Sequence, residues 1–321
     1  MILMLNNNYF SIMKKIFLTL VAAAMTALTV SAQDLAQATE NYNNGAMELQ
    51  MGNKDAALTY FQSALTMAEA LGDEGLDIVT NCKNTIPVLM ASIGKDLVKA
   101  ENFDAAIEQF NKTIEVAEGY GNVEVVEEAK TLIPQVLMSK AGDLLNAKDF
   151  AGAAEVYKQV VDANPENGMA ALRLGMALGS LGKVEEAEAA YLQAAANGQE
   201  ANANKQLSNL FVKQASALLK AKNYQGAMDA AVKGNEFLAN ANAMKIAGTA
   251  ASQLKKNAEA IAFLEKYLEL SRNAKDAASM KYTIAATAQT MGDNAKAKEY
   301  YQQITSDPKF GPTAQEMLKT L

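Results

Sequence analysis

The sequence predicts an all-α fold, a solenoid of helical hairpins stacked one after another. Three observations support it: the composition, a repeating pattern of small and bulky residues, and turn-forming residues between the repeated positions. Half of the 321 residues are apolar, only 7% are aromatic, and there are 5 prolines and no tryptophan. This mixture suits close-packed helices better than a β-sandwich, whose pleated faces need β-branched and aromatic residues.

The repeat has three positions. The first is a small residue: Gly45, Gly94, Ala141, Gly175, Ala215, Gly248 and Ala285. Twelve residues later comes an alanine: Ala57, Ala106, Ala153, Ala187, Ala227, Ala260 and Ala297. Four residues further on comes a bulky residue, with Ala231 as the exception: Phe61, Phe110, Tyr157, Tyr191, Leu264 and Tyr301. Small residues let the two helices of a hairpin approach closely, and stacked hairpins bury one another's apolar faces.

Turns separate the small residue from the alanine in every repeat. The segments MGNKDA, AENFDA, AKDFAG, LGKVEE, AKNYQG, KKNAEA and MGDNAK carry Gly, Asn, Asp or Lys. These residue types are typical of positions where a chain reverses direction. The sequence therefore predicts about seven hairpins.

Residues 1–32 have the pattern of a secretory signal peptide. Lys14 and Lys15 precede an uncharged stretch at residues 16–30, which ends in small residues before Gln33. We expect Met13 to be the true start and cleavage to follow Ala32, with an exported mature protein. An uncleaved membrane anchor is the alternative.

The remaining chain divides by repeat length. The first two steps between successive alanines are 49 and 47 residues, whereas the later steps are 34, 40, 33 and 37. We therefore expect N-terminal repeats with long helices at 33–164, ordinary repeats at 165–311 and a short capping helix at 312–321. The long helices either bend near Pro87 and Pro134, because proline removes a backbone hydrogen bond, or a new helix begins at each proline.

These positions resemble the tetratricopeptide repeat family, in which a small residue, an alanine and an aromatic residue recur at the same spacing. The segment DANPENG at 162–168 is similar to the family's turn between repeats. The chain departs from the pattern in having no tryptophan, and its fifth repeat has Ala231 and Gly234 where a bulky residue and alanine are usual. The resemblance covers about residues 38–305 and implies a right-handed superhelix.

The resemblance also implies a partner-binding groove on the first helix of each hairpin. Transferring the family's positions gives Met138, Leu145, Asn146, Met169, Leu172, Met176, Asn209, Val212, Ser216, Lys220, Lys245, Thr249 and Gln253. The centre of this groove is apolar and holds methionine, which suits adaptable contacts with a peptide. The alternative is that these residues belong to the core between helices. Of the family's carboxylate clamp for a peptide C-terminus, only Arg173 is found.

The residue content argues against catalysis. The chain has no histidine and a single cysteine, Cys82, which excludes histidine-based triads and Cys or His metal sites. GSLGKV at 179–184 lacks the first glycine of a phosphate loop and has Val184 where Ser or Thr is needed. We expect no cofactor, and the net charge of −7 argues against nucleic acid as a partner.

The sequence therefore predicts a non-enzymatic adaptor or scaffold in the bacterial cell envelope, periplasmic or envelope-associated. Its partner is a protein or peptide of unknown identity. A self-associating structural spacer, hence a homo-oligomer, is the alternative, and an enzyme is the third hypothesis.

Overall fold

A computed structural model of the chain describes residues 32–321, so the predicted signal peptide at 1–32 lies outside the described residues, apart from its last residue. Over 32–321 the secondary structure is helical, and no strand occurs there. The α-helices, in chain order, are α1 Ala32–Gln50, α2 Lys54–Ala70, α3 Leu76–Lys99, α4 Phe103–Tyr120, α5 Val123–Asn146, α6 Phe150–Ala163, α7 Gly168–Ser180, α8 Val184–Ala194, α9 Glu200–Lys220, α10 Tyr224–Phe237, α11 Ala241–Gln253, α12 Asn257–Leu270, α13 Ala277–Thr290, α14 Asn294–Gln302 and α15 Gly311–Thr320.

The described residues form two compact units that divide between Ile133 and Pro134, here called the N-terminal unit (32–133) and the C-terminal unit (134–321). Within each unit, consecutive helices pack against one another as hairpins. The predicted all-α fold of stacked hairpins is confirmed. The two units are defined by their compactness, whereas the predicted boundary after residue 164 rests on repeat length. That boundary therefore stays a prediction.

The repeated small and bulky positions meet in the structure. All seven alanines of the repeat are fully buried. A Cβ placed on Gly94 or Gly175 would lie 2.6 Å from the ring of Phe110 or Tyr191, and one on Gly248 would lie 2.7 Å from Leu264. The bulky side chain therefore lies directly on the small residue sixteen positions before it, which explains why the sequence spacing is kept.

The fifth hairpin packs differently from the others. Ala231 replaces the bulky residue on the second helix and is fully buried. Phe211, on the first helix, is 4% exposed and stacks on Phe237 with ring centroids 6.0 Å apart. A Cβ on Gly234 would lie 3.1 Å from the Cβ of Phe211. In this hairpin an aromatic residue of the first helix, Phe211, therefore packs against Gly234 and Phe237 of the second helix.

Each of the seven hairpin turns contains one residue of positive φ, seven positions after the small residue. These residues are Gly52, Glu101, Lys148, Gly182, Lys222, Lys255 and Gly292, with φ between 58° and 83°. Non-glycine residues adopt this left-handed conformation at a cost. The turn geometry is thus set by the hairpin rather than by glycine alone.

The two long first helices contain their prolines. Helices α3 and α5 each have 24 residues, with Pro87 and Pro134 in their interiors. The interpretation in which a new helix begins at each proline is therefore wrong. The extra length lies before the prolines, since the helices already begin at Leu76 and Val123.

The chain ends in a short helix, as predicted. Helix α15 has Pro312 in its first turn, where a missing N–H costs nothing. Ala314 is buried, and Met317, Leu318 and Leu321 pack on the cluster formed by the last hairpin. The helix therefore covers the final apolar face.

None of the helices in residues 32–321 combines the length and the apolar character that crossing a membrane requires.

Candidate functional site

The predicted groove residues all lie in the C-terminal unit, on the first helices of four hairpins. Helix α9 contacts α7 on one side and α11 on the other. These first helices therefore line up without an intervening second helix. We call the exposed side of α7, α9 and α11 the first-helix face.

Side-chain caps fix where these helices begin. The side chain of Asn167 accepts a hydrogen bond from the backbone N–H of Ala170 at 3.0 Å, at the start of α7. Asn240 does the same at the start of α11, accepting from Asn242 at 3.0 Å and from Ala243 at 3.2 Å. Asparagine caps satisfy N–H groups that would otherwise have no partner. The start of α7 and α11, and hence which residues face outward, is set locally by sequence.

A depression of about 200 Å³ lies between α7 and α9 on this face. It is lined by Met176, Gly179, Ser180, Tyr191, Gln206, Asn209, Leu210 and Lys213. Met176 and Asn209 are predicted groove residues that the structure brings together. Gln206 and Lys213 were not predicted, because Gln206 precedes and Lys213 falls between the positions transferred from the family.

The depression joins apolar surface to open polar groups. Met176 and Leu210 supply the apolar part, and Tyr191 is only 4% exposed beneath them. Within the described part of the chain, the side chains of Gln206, Asn209 and Lys213 make no hydrogen bond or ion pair. Unpaired donors beside apolar surface suit a peptide segment with an apolar side chain next to a carbonyl or carboxylate.

Tyr191 adds no charge to the depression. Burial raises the pKa of its hydroxyl to about 12, so the phenol stays protonated at neutral pH. Among residues 32–321, Lys213 is the only cationic side chain that lines this depression, and no carboxylate lines it.

The other predicted groove residues differ in accessibility. Asn146, Met169, Lys220 and Gln253 are exposed, while Leu172 is buried at 7% exposure in the core. The remaining residues are partly buried: Met138, Leu145, Val212, Ser216, Lys245 and Thr249. Met138, Leu145 and Met176 pack against the same cluster as Leu172. The apolar centre of the predicted groove is thus shared between core and surface.

Lys245 interacts with other side chains of the protein. Its ammonium group forms an ion pair with Asp276 and lies 5.8 Å from the ring centroid of Tyr267. The hydrogen bond from Lys245 lowers the pKa of the Asp276 carboxyl. Lys245 therefore ties α11 to the segment before α13, whereas Lys213 and Lys220 remain open to a partner.

Cys82 has the properties of a packing residue. It is fully buried in the N-terminal unit, and desolvation raises the pKa of its thiol to about 11. Over the described residues, no three or more His, Cys, Asp or Glu side chains are grouped so that they could hold a metal ion. The thiolate needed for nucleophilic or redox chemistry is disfavoured at this position.

We expect Cys82 to resist thiol reagents in the native protein. At about pH 8 a disulfide reagent should react far more slowly than in urea, where the thiol is free. Because the folded-state pKa is raised from 9.0 to about 11, burial of the neutral thiol stabilises the fold below pH 9. That contribution is lost as the pH rises from 9 to about 11. Equal labelling rates in buffer and in urea would contradict this expectation.

Comparison with known proteins identifies the repeats. Two sequence models, both described as tetratricopeptide repeat, match this chain: one at residues 139–202, the other at residues 246–273 and 278–306. These ranges include α7 and most of α11 and α13, together with the hairpin partners α8, α12 and α14. No curated protein matches the chain.

Two solved structures of other proteins are similar to part of this chain, at low TM-scores. A crystal structure of MamA is 18% identical and covers 56% of this chain and 97% of its own, with a TM-score of 0.34. YrrB, titled a TPR protein with an unusual peptide-binding site, is 17% identical, covers 58% of this chain and 91% of its own, and also has a TM-score of 0.34.

Proposed function

We propose that this chain, which carries tetratricopeptide repeats at 139–202, 246–273 and 278–306, is a non-enzymatic adaptor or scaffold. It holds a protein or peptide partner on the first-helix face of its C-terminal unit. Stacked helical repeats create extended binding surfaces of this kind. The leader-like pattern of residues 1–32 supports a place in the bacterial cell envelope.

The observation that carries this proposal is the depression between α7 and α9. Lys213, Gln206 and Asn209 offer hydrogen-bond donors that no group in the described chain uses, beside the apolar side chains of Met176 and Leu210. At about 200 Å³ the depression holds one side chain rather than a small-molecule substrate. Affinity must therefore come from several such contacts along an extended partner.

Site-specific crosslinking in cells tests which face binds. A photoreactive amino acid replaces Met169 or Asn209 on the first-helix face, and Leu192 or Ala262 on second helices as controls, since all four positions are exposed. We expect one common partner from the first pair, recovered in the envelope fraction, and none from the second pair. The same products from all four positions, or recovery in the cytosol, would contradict the proposal.

Lysine substitution tests the depression itself. Lys213→Ala should weaken binding of a peptide from the captured partner about tenfold, because it removes a charged hydrogen-bond donor. Lys298→Ala is the matched control, since Lys298 is equally exposed and unpaired on α14. Equal affinities of the two variants would show that the depression is not the binding site, and sedimentation at several concentrations would reveal self-association instead.

A further inference from the structure

The two units differ sharply in charge. Residues 32–133 contain 17 Asp and Glu against 6 Lys, a balance of −11. Residues 134–321 contain 19 Asp and Glu against 21 Lys and Arg, a balance of +2. The acidity of the whole chain therefore comes from residues 32–133, and a surface of one charge sign attracts partners of the opposite sign.

The few cations of the N-terminal unit are already neutralised. All six of its lysines form ion pairs inside the unit: Lys54 and Lys99 with Asp96, Lys83 with Glu69, Lys95 with Glu128, Lys112 with Glu108 and Lys130 with Glu118. The pairs use five carboxylates. The acidic side chains of this unit therefore outnumber its basic side chains by eleven.

Part of that surplus surrounds two exposed apolar side chains. Leu76 begins α3 and is 58% exposed, and Val123 begins α5 and is 69% exposed. Each stands eleven residues before the internal proline of its helix, so the two occupy equivalent positions in the two long repeats. Repetition of an exposed apolar residue at one position is hard to explain by packing, since neither side chain is buried.

Contacts place the first part of α3 beside the end of α4. Lys83, near the start of α3, lies 5.6 Å from the ring centroid of Tyr120, the last residue of α4. Ile78 and Val79 of α3 pack on the same cluster as Tyr120. Because α5 begins three residues after Tyr120, we infer that Leu76 and Val123 lie at the same edge of the unit. We call it the acidic edge, formed by Asp73, Glu74, Leu76, Asp77, Val123 and Glu124.

The acidic edge makes no internal pairs of its own. Its four carboxylates are exposed and take part in no ion pair within the described residues. Exposed apolar side chains with carboxylates close by in sequence have the composition of an interface core with a charged rim. Such a rim selects cationic partners and speeds their association.

We propose that the acidic edge docks a lysine- or arginine-rich amphipathic segment of a partner protein. The apolar side chains of that segment cover Leu76 and Val123, and its cations pair with Asp73, Glu74, Asp77 and Glu124. This surface is separate from the first-helix face, so the chain has two docking surfaces with different chemistry. A scaffold with two such surfaces holds two partners on one chain.

Fluorescence anisotropy with a designed probe tests this inference on the chain from residue 33 onward. The probe is an amphipathic helical peptide of about 18 residues made of leucine and lysine, and a second probe replaces each leucine by serine. Asp73→Lys, Asp77→Lys and Glu124→Lys together should weaken binding of the leucine probe about tenfold, more at low salt than at high salt. The matched control changes the exposed Glu155, Glu200 and Glu236 to lysine, which alters net charge equally but leaves the edge intact.

The apolar part of the edge is tested separately. Leu76→Ser with Val123→Ser should weaken the leucine probe and leave the serine probe unchanged, while Leu192→Ser with Leu238→Ser should change neither. Equal losses in the two charge variants would show a general charge effect and overturn the proposal, as would unchanged binding in the Leu76 and Val123 variant. Lys213→Ala should leave probe binding unchanged, which separates this result from that for the first-helix face.

Discussion

Phe110→Ala is expected to lower the free energy of unfolding of the N-terminal unit by about 3–5 kcal/mol. Phe110 is fully buried, and its ring lies so close to Gly94 that a Cβ there would be 2.6 Å away. Removing the ring leaves a cavity between the two helices of the hairpin, which rigid neighbours fill only in part. Urea unfolding followed by far-ultraviolet circular dichroism measures the change.

Val88→Ala is the control for this experiment. Val88 is an apolar residue of the same unit but is 54% exposed, so its loss should change stability by less than about 0.5 kcal/mol. If Phe110→Ala cost no more than Val88→Ala, the ring would not be the packing element that the repeat spacing indicates.

Gly175→Ala is expected to destabilise the C-terminal unit by about 1–3 kcal/mol, although alanine normally favours helices. The new Cβ would lie 2.6 Å from Cδ1 and Cε1 of Tyr191, whose ring is held in the core. The tyrosine must shift or leave its rotamer to make room. Thermal unfolding of the variant measures the loss.

Gly142→Ala is the matched control, since it also lies in a helix of the C-terminal unit. A Cβ added at Gly142 would lie 3.7 Å from the hydroxyl of Tyr157, which is an ordinary van der Waals contact. This variant should gain about 0.5–1 kcal/mol through helix propensity. Opposite signs for the two glycines support the close contact, and a gain at Gly175 would contradict it.

Much of the fold follows from sequence because the packing rule is local. The small residue and the bulky residue lie sixteen positions apart in one hairpin, so their contact needs no information from distant chain. Ala231 breaks this pattern, and the aromatic contact of the fifth hairpin comes instead from Phe211, which lies on the first helix before the repeat position. The sequence does not decide whether α3 and α5 continue through their prolines or begin at them, because proline is found both inside helices and at helix starts.

The candidate site was less predictable. The sequence places Leu172 and Met169 on the same helix, but only packing shows that the first is core and the second is exposed. Lys213 and Lys245 look alike in sequence, yet Lys245 is bound to Asp276 and Lys213 is open. Accessibility and pairing depend on neighbouring helices, which periodicity alone does not specify.

Hydrogen–deuterium exchange of the full chain, with and without the partner captured through Asn209, tests the central claim most directly. The account predicts slower exchange on partner binding in the first helices α7 and α9, with the second helices α8 and α10 unchanged. Protection of α8 and α10 alone, or a uniform change along the chain, would contradict the claim that the first-helix face holds the partner.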